Sequence, residues 1–291
     1  MKNSILVCVE TVEEAPLLLA KAKRLQDYKS LPLHVFSAIK PLANAYAEFG
    51  YATSALSDWF TETKAAHRAN LLKALPELSE DQVHVVEGYP LSEIVECSKQ
   101  ADTLVMGMHQ RRGLHRLLGS TTLGVLSQSD CPILAVHPDS GDEAYRTLLA
   151  PVDVHADDQP HLKQLSALLS ESPHNPSYRL LSVVPPVNAV YASTFAYYAA
   201  DYSLSTVQDK VVQNTWCEGK KVLAKYGLSI ENMETRTGDP IDQIVAQATY
   251  DLADLIIMGA RHRSLTERVV LGSTAHGVLQ RSPCDVLVMP E

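Results

Sequence analysis

A glycine that follows an apolar run and a later Gly-Ser-Thr triplet are the residues of this chain best suited to bind a phosphate group. In the second half they are Gly259 and Gly272-Ser273-Thr274, with the two glycines 13 positions apart. Glycine lets a ligand approach the backbone closely, and the free N–H groups and dipole at a helix start favour an anion. We expect Ser273 to be the N-cap of such a helix and a hydroxyl donor to the anion.

The first half carries a similar pattern, in which Gly107 precedes Gly119-Ser120-Thr121 by 12 positions. Both patterns enclose clustered arginines, although the formal net charge of the chain is −9. A local basic loop on an acidic protein suits a small polyanion better than nucleic acid. The alternative is an ordinary solvated loop. The arginines are Arg111, Arg112 and Arg116 in the first half, and Arg261, Arg263 and Arg268 in the second.

The two patterns belong to an internal repeat with a period of about half the chain. A period this long indicates two complete domains rather than solenoid units. The acidic, polar stretch 139–143 has the composition of a linker, so we predict domains over 1–140 and 141–291. The matching pairs include Gly88 and Gly238, Pro90 and Pro240, Ala101-Asp102 and Ala253-Asp254, Cys131 and Cys284, and the runs 5–10 and 148–153.

Apolar runs alternate with amphipathic stretches in each half, which predicts a five-stranded, doubly wound parallel sheet with helices on both faces. Ligands of such sheets bind at the carboxyl ends of the strands where the strand order reverses. We therefore expect Asp153 and Gly259 to line one crevice. In the second half, strands are predicted over 147–152, 178–184, 234–237, 255–258 and 286–289, and helices over 160–169, 203–226 and 273–280, with a further helix capped by Gly238-Asp239-Pro240.

Composition excludes several classes of protein. The chain is 46% apolar and 20% charged, which is unlike a disordered chain. It has neither the long apolar run of a membrane helix nor a signal peptide, so we expect a cytoplasmic protein. The net charge of −9 disfavours binding to nucleic acid or to an anionic membrane, so we expect neither as a partner. The five cysteines are widely spaced and odd in number, which predicts reduced thiols, with Cys8 and Cys131 in the core.

Both halves resemble universal stress protein domains, and the whole chain is similar to the tandem, E-type members of that family. The resemblance rests on Val152-Asp153, Gly238-Asp239-Pro240, the run 253–259 and the stretch from Gly272 to Pro290. It implies two tandem doubly wound α/β domains with the adenine nucleotide alpha hydrolase-like fold. It also implies that the domains pack as a pseudo-dimer through their last strands, and that two chains can associate further as a homodimer.

The nucleotide-binding members of this family carry a glycine, two residues, a second glycine, nine residues and then Gly-Ser/Thr. Here His262 and Gln110 replace the middle glycine, and both can donate a hydrogen bond to a phosphate. The resemblance implies an adenine nucleotide, ATP with Mg²⁺, and favours the second half, which keeps the full spacing and an aspartate after strand one. The implied contacts are Asp153, Val183, Met258, Gly259, His262, Gly272, Ser273 and Thr274, and in the first half Glu10, Ala38, Met106, Gly107, Gln110, Gly119, Ser120 and Thr121.

Three alternatives remain open. Loss of the middle glycine is compatible with a scaffold that binds protein partners instead of nucleotide, and the Tyr-rich segment 186–202 is either a partner surface, a lid or a packed loop. The acids and histidines between Asp153 and His161 form either a metal site or, more commonly, helix-cap chemistry. No nucleophile with a partnered base is visible, so the sequence supports at most slow ATP hydrolysis.

Overall fold

A computed structural model of the 291-residue chain describes residues 3–26, 30–41, 53–108, 119–156, 158–186, 204–260 and 271–290. The chain divides into two compact units, and the second begins at Tyr145. Each is an α/β unit built on a parallel sheet. None of the helices in the described ranges is long and apolar enough to cross a membrane.

The first unit alternates strands with helices. Its central strand, Ile5–Cys8, is buried along its whole length, so helices must cover both faces of the sheet. The strands are β1 (Ile5–Cys8), β2 (Leu33–Ile39), β3 (Val83–Glu87), β4 (Thr103–Gly107) and β5 (Ile133–Val136), and the helices are α1 (Ala15–Gln26), α2 (Thr53–Ala74), α3 (Pro90–Ser98) and α4 (Ser120–Leu126).

The second unit repeats this order. Its elements agree with the predicted ones to within a few residues at each end, and β9 includes Gly259 as its last residue. The strands are β6 (Thr147–Pro151), β7 (Ser177–Val184), β8 (Met233–Thr237), β9 (Leu255–Gly259) and β10 (Asp285–Met289), and the helices are α5 (Pro160–Glu171), α6 (Leu204–Lys225), α7 (Pro240–Tyr250) and α8 (Ser273–Arg281).

Strand order is the same in both units. In the first unit it is β3-β2-β1-β4-β5, and in the second β8-β7-β6-β9-β10, with every pair described within each unit parallel. The chain therefore moves outward from the first strand of each unit, returns, and continues on the other side of that strand. This confirms the predicted doubly wound fold, and it leaves a crevice between the ends of β1 and β4 and between those of β6 and β9.

Glycine chemistry ends helix α6 close to the residue that the sequence predicts. Helix α6 ends before Gly227, whose φ of +67° is a left-handed conformation that glycine adopts without a steric penalty. The N–H of Leu228 donates to the Leu223 carbonyl, 3.1 Å away, which satisfies one of the last carbonyl groups of the helix. Two buried cysteines make the same contact in the two units. The Cys131 N–H donates to Ser129 Oγ at 3.4 Å, and the Cys284 N–H donates to Ser282 Oγ at 3.3 Å.

The N-termini of α3 and α7 are matched in geometry but not in chemistry. Asp239 is the N-cap of α7, and its carboxylate accepts N–H bonds from Ile241 and Asp242 at 2.9 and 3.1 Å. The corresponding residue of α3, Tyr89, has nearly the same backbone angles but makes no side-chain cap. Its ring is 55% exposed and contributes little to the core.

This difference allows a test in which two substitutions should change the free energy of unfolding in opposite directions. Because an N-cap carboxylate satisfies free N–H groups and opposes the helix dipole, Asp239→Ala should lower the free energy of unfolding by about 1 kcal/mol. Tyr89→Asp should raise it by roughly 0.5–1 kcal/mol, since it installs the missing cap on the same backbone. Urea denaturation followed by circular dichroism measures both, with Tyr89→Ala as the control expected to change little. Equal destabilisation by both substitutions would contradict the capping account.

Candidate functional site

The carboxyl edge of the second unit brings together the predicted residues that the structure describes. Asp153 follows the end of β6 by two residues, Val183 is the penultimate residue of β7, and Met258 and Gly259 end β9. Gly272, Ser273 and Thr274 stand at the start of α8, which leads back from this edge to β10. Five of the seven are half-buried, whereas Met258 is buried and Ser273 is exposed.

The predicted role of Ser273 as N-cap is wrong. Gly272 is the N-cap, with φ −60° and ψ 147°, and Ser273 is the first helical residue. The extended backbone at Gly272 carries the chain into the helix one residue earlier than the sequence suggested. Ser273 is consequently exposed, and its backbone N–H is among the N-terminal donors that have no partner within the helix.

In the first unit, a side-chain bond joins the helix start to the strand end. The hydroxyl of Thr122 in the first turn of α4 donates to the Gly107 carbonyl, 3.2 Å away. Gly119, Ser120 and Thr121 directly precede Thr122, so this bond ties the start of the helix to the end of β4. The remaining predicted residues of this unit are Glu10, exposed after β1; Ala38, half-buried near the end of β2; and Met106, buried in β4.

Several predicted residues lie outside the described ranges. They are Gln110 and His262 at the middle position of the glycine pattern, the six clustered arginines, Asp157, and most of the Tyr-rich segment 186–202. The roles assigned to them stay predictions.

A glutamine that the sequence did not single out holds the loop after β6. The Gln159 side chain accepts from the Asp153 N–H at 3.1 Å and donates to the Asp153 carbonyl at 2.8 Å. The Asp153 carboxylate in turn accepts the His155 N–H at 3.0 Å. In the first unit, the Glu14 carboxylate accepts the N–H groups of Glu10 and Thr11. The loop after β6 is therefore tied to Gln159 through both the N–H and the carbonyl group of Asp153.

His161, in the first turn of α5, lies beneath the crevice. Its Nε2 lies 2.8 Å from the Pro151 carbonyl oxygen, which can only accept, so Nε2 carries the proton. Its Nδ1 is buried and has no hydrogen-bond partner among the described residues. A Cβ atom at Gly259 would come within 3.3 Å of this Nδ1, so the glycine is what allows the imidazole to approach β9.

The environment of His161 keeps its ring neutral. The residue is 7% exposed, and burial lowers its pKa to about 4, against a smaller opposing effect of the bond to Pro151. Across the described ranges, no group of three or more His, Cys, Asp or Glu residues is arranged to hold a metal ion.

One serine–histidine pair in the first unit has the composition of a hydrolytic site but not its location. Ser37 Oγ lies 3.0 Å from Nε2 of His67, which belongs to α2. Ser37 is only 3% exposed, and burial lowers the pKa of His67. The pair is a part-buried hydrogen bond that ties β2 to α2.

A pH-dependent loss of stability should follow from the buried imidazole of His161. The unfolded chain binds a proton near the ordinary His pKa of about 6.5, whereas the folded chain binds it only near pH 4. Stability should therefore fall as the pH drops through this window, by about 2 kcal/mol between pH 7 and 4.5. His161→Leu, which installs the residue found at the matching position of α1, Leu18, should remove this component.

The measurement is the difference in unfolding free energy between the wild type and His161→Leu, determined by urea denaturation at several pH values. His174→Leu, at an exposed site, is the control and should differ from the wild type by a constant amount. A His161→Leu difference that does not change with pH would mean that the imidazole is not held neutral.

Comparison with known proteins agrees with this architecture. The sequence profile of the Universal stress protein family matches residues 1–137 and again residues 144–290. Universal stress protein A homolog 2 of Coxiella burnetii is 31% identical over 121 residues, which is 41% of this chain and 83% of that protein.

Two solved structures align with almost the whole chain. A functionally unknown protein from Pseudomonas aeruginosa PAO1 has a TM-score of 0.67 at 18% identity, with 99% of this chain and 92% of that chain covered. A universal stress protein from Archaeoglobus fulgidus has a TM-score of 0.62 at 18% identity, with coverage of 99% and 96%. The fold is shared with both. Because the family profile matches nearly the entire sequence in two copies, the chain belongs to the universal stress protein family as a tandem two-domain member.

Proposed function

We propose that this protein binds an adenine nucleotide, ATP with Mg²⁺, at the carboxyl edge of its second unit. The observation that carries the proposal is the position of Gly259 and Gly272 around the point where the strand order reverses between β6 and β9. This is where doubly wound sheets bind ligands, and Gly272 opens a nine-residue helix whose free N–H groups suit a phosphate.

The residues around the crevice have complementary tasks in this proposal. Asp153, fixed by Gln159, accepts hydrogen bonds from the nucleoside. Val183 offers an apolar contact for the base, and Gly259 lets the ribose approach the backbone. Ser273 and Thr274 donate to the phosphates together with the N–H groups of α8. Mg²⁺ is held mainly by phosphate oxygens and water.

The second unit is the better candidate of the two. Its helix α8 has nine residues, whereas α4 has seven, so α4 presents a weaker dipole to a phosphate. Asp153 is half-buried and held by two bonds to Gln159, whereas Glu10 is exposed. We propose binding with at most slow hydrolysis, since the one Ser–His pair found in the described ranges is buried away from this edge.

The first test is direct. The untagged chain, purified mildly and extracted with acid, should release an adenine nucleotide. The chain stripped of nucleotide should bind ATP in the presence of Mg²⁺ by isothermal titration calorimetry. No released nucleotide and no heat at millimolar ATP would contradict the proposal and favour the alternative of a scaffold for protein partners.

Matched glycine substitutions then locate the site. Gly272→Val should weaken ATP binding by about tenfold or more, because its side chain occupies space beside the phosphates. The backbone angles of Gly272 are allowed for valine, so the melting temperature of the ligand-free chain should change little. Gly119→Val, the equivalent change in the first unit, is the control and should leave the affinity unchanged. Unchanged affinity in Gly272→Val would place the site elsewhere.

A further inference from the structure

Two histidines meet on the sheet of the first unit, away from the proposed nucleotide crevice. Nδ1 of His34 lies 3.1 Å from Nε2 of His84, and the ring centroids are 5.2 Å apart. His34 belongs to β2 and His84 to β3, the edge strand. In the parallel register, His84 is opposite Phe36, two residues after His34, so the two histidines share one face of the sheet. Both are partly exposed.

The second unit carries an ion pair at the register positions that correspond to the two histidines. Arg179 of β7 and Glu234 of β8 replace the two histidines, and their side chains form an ion pair with N···O 3.4 Å. Arg179 also pairs with Asp251 at 2.5 Å. The backbone thus tolerates an ordinary salt bridge here, and the fold itself does not require two imidazoles in contact.

Burial and nearby positive charge favour the neutral, metal-binding form of both imidazoles. Burial, followed by the charge of His84, lowers the pKa of His34, and burial, with a contribution from Arg68, lowers that of His84. Asp81 acts in the opposite direction on both rings. The guanidinium of Arg68 is itself engaged by the Glu80 carboxylate at 3.4 Å, and it also donates to the Val83 carbonyl at 3.1 Å.

The spacing of the two nitrogens suits a single metal ion. Two metal–nitrogen bonds of about 2.0–2.1 Å to atoms 3.1 Å apart enclose an angle of roughly 100°, which is between square and tetrahedral values. Neutral imidazole pairs select Zn²⁺, Ni²⁺ and Cu²⁺ among the divalent ions. We propose that His34 and His84 form a two-histidine site for a first-row divalent transition metal, with water completing its coordination.

The proton balance of this step is simple. In the metal-free pair, the N–H of one ring donates a hydrogen bond to the unprotonated nitrogen of the other. When a metal takes both facing lone pairs, that proton moves to the second nitrogen of its own ring. No net proton is released when both rings start neutral, and the metal replaces the hydrogen bond between them.

The test uses the untagged full-length chain, free of bound metal, with Zn²⁺ followed by calorimetry and Cu²⁺ by electron paramagnetic resonance. One ion per chain should bind at this site, and the Cu²⁺ spectrum should show hyperfine coupling to two imidazole nitrogens. His84→Gln should weaken binding by about tenfold or more. The double change His34→Arg with His84→Glu, which copies the second unit, should abolish it.

His174→Gln is the matched control, because it removes an exposed histidine elsewhere and should leave the affinity unchanged. Circular dichroism of the double variant should match that of the wild type, since Arg and Glu occupy the same positions in the second unit. Full metal uptake by the double variant, or none by the wild type, would overturn the proposal. Because the readout needs no nucleotide, it is independent of the result for the β6–β9 crevice.

Discussion

Parallel pairing of buried strands is the constraint on which the rest of each unit depends. A strand buried on both faces can bond only to neighbouring backbones, and a parallel neighbour requires a crossover helix that returns the chain to the starting edge. Right-handed crossovers place the first two helices on one face and, after the reversal, the next two on the other. Because the strand order reverses beside β1 and β6, the loops that leave the carboxyl ends of neighbouring strands there run to opposite faces of the sheet. The gap between these loops is the crevice at the carboxyl edge.

The two units show how one backbone carries different side-chain chemistry. Leu18 in α1 and His161 in α5 occupy matching buried positions, yet only the histidine brings a polar atom beneath the crevice. Tyr89 and Asp239 sit on nearly identical N-cap backbones, and only the aspartate caps its helix. In each case the hydrogen bonds of the main chain are kept, so the fold is maintained while local polarity, charge and ligand chemistry diverge.

The fold and the positions of the glycines were predictable because each rests on local or periodic signals. Gly227 marks the end of α6 through its positive φ, and Gly259 ends a short run of apolar residues that is typical of a buried strand. The error at Ser273 has a local cause as well. A serine before an amphipathic stretch is a common N-cap, but here glycine adopts the extended cap conformation and the serine enters the helix.

The sequence by itself determined the family, the tandem repeat and the parallel α/β fold, because the repeat period, the turn residues and the pattern of apolar residues act along the chain. Only the tertiary structure decided which side chains from distant parts of the chain come into contact. His34 and His84 are 50 residues apart, and Nδ1 of His161 faces Gly259 from another element. Such contacts depend on strand register and on how a helix lies on a sheet. These arise from packing between distant segments, which no local pattern encodes.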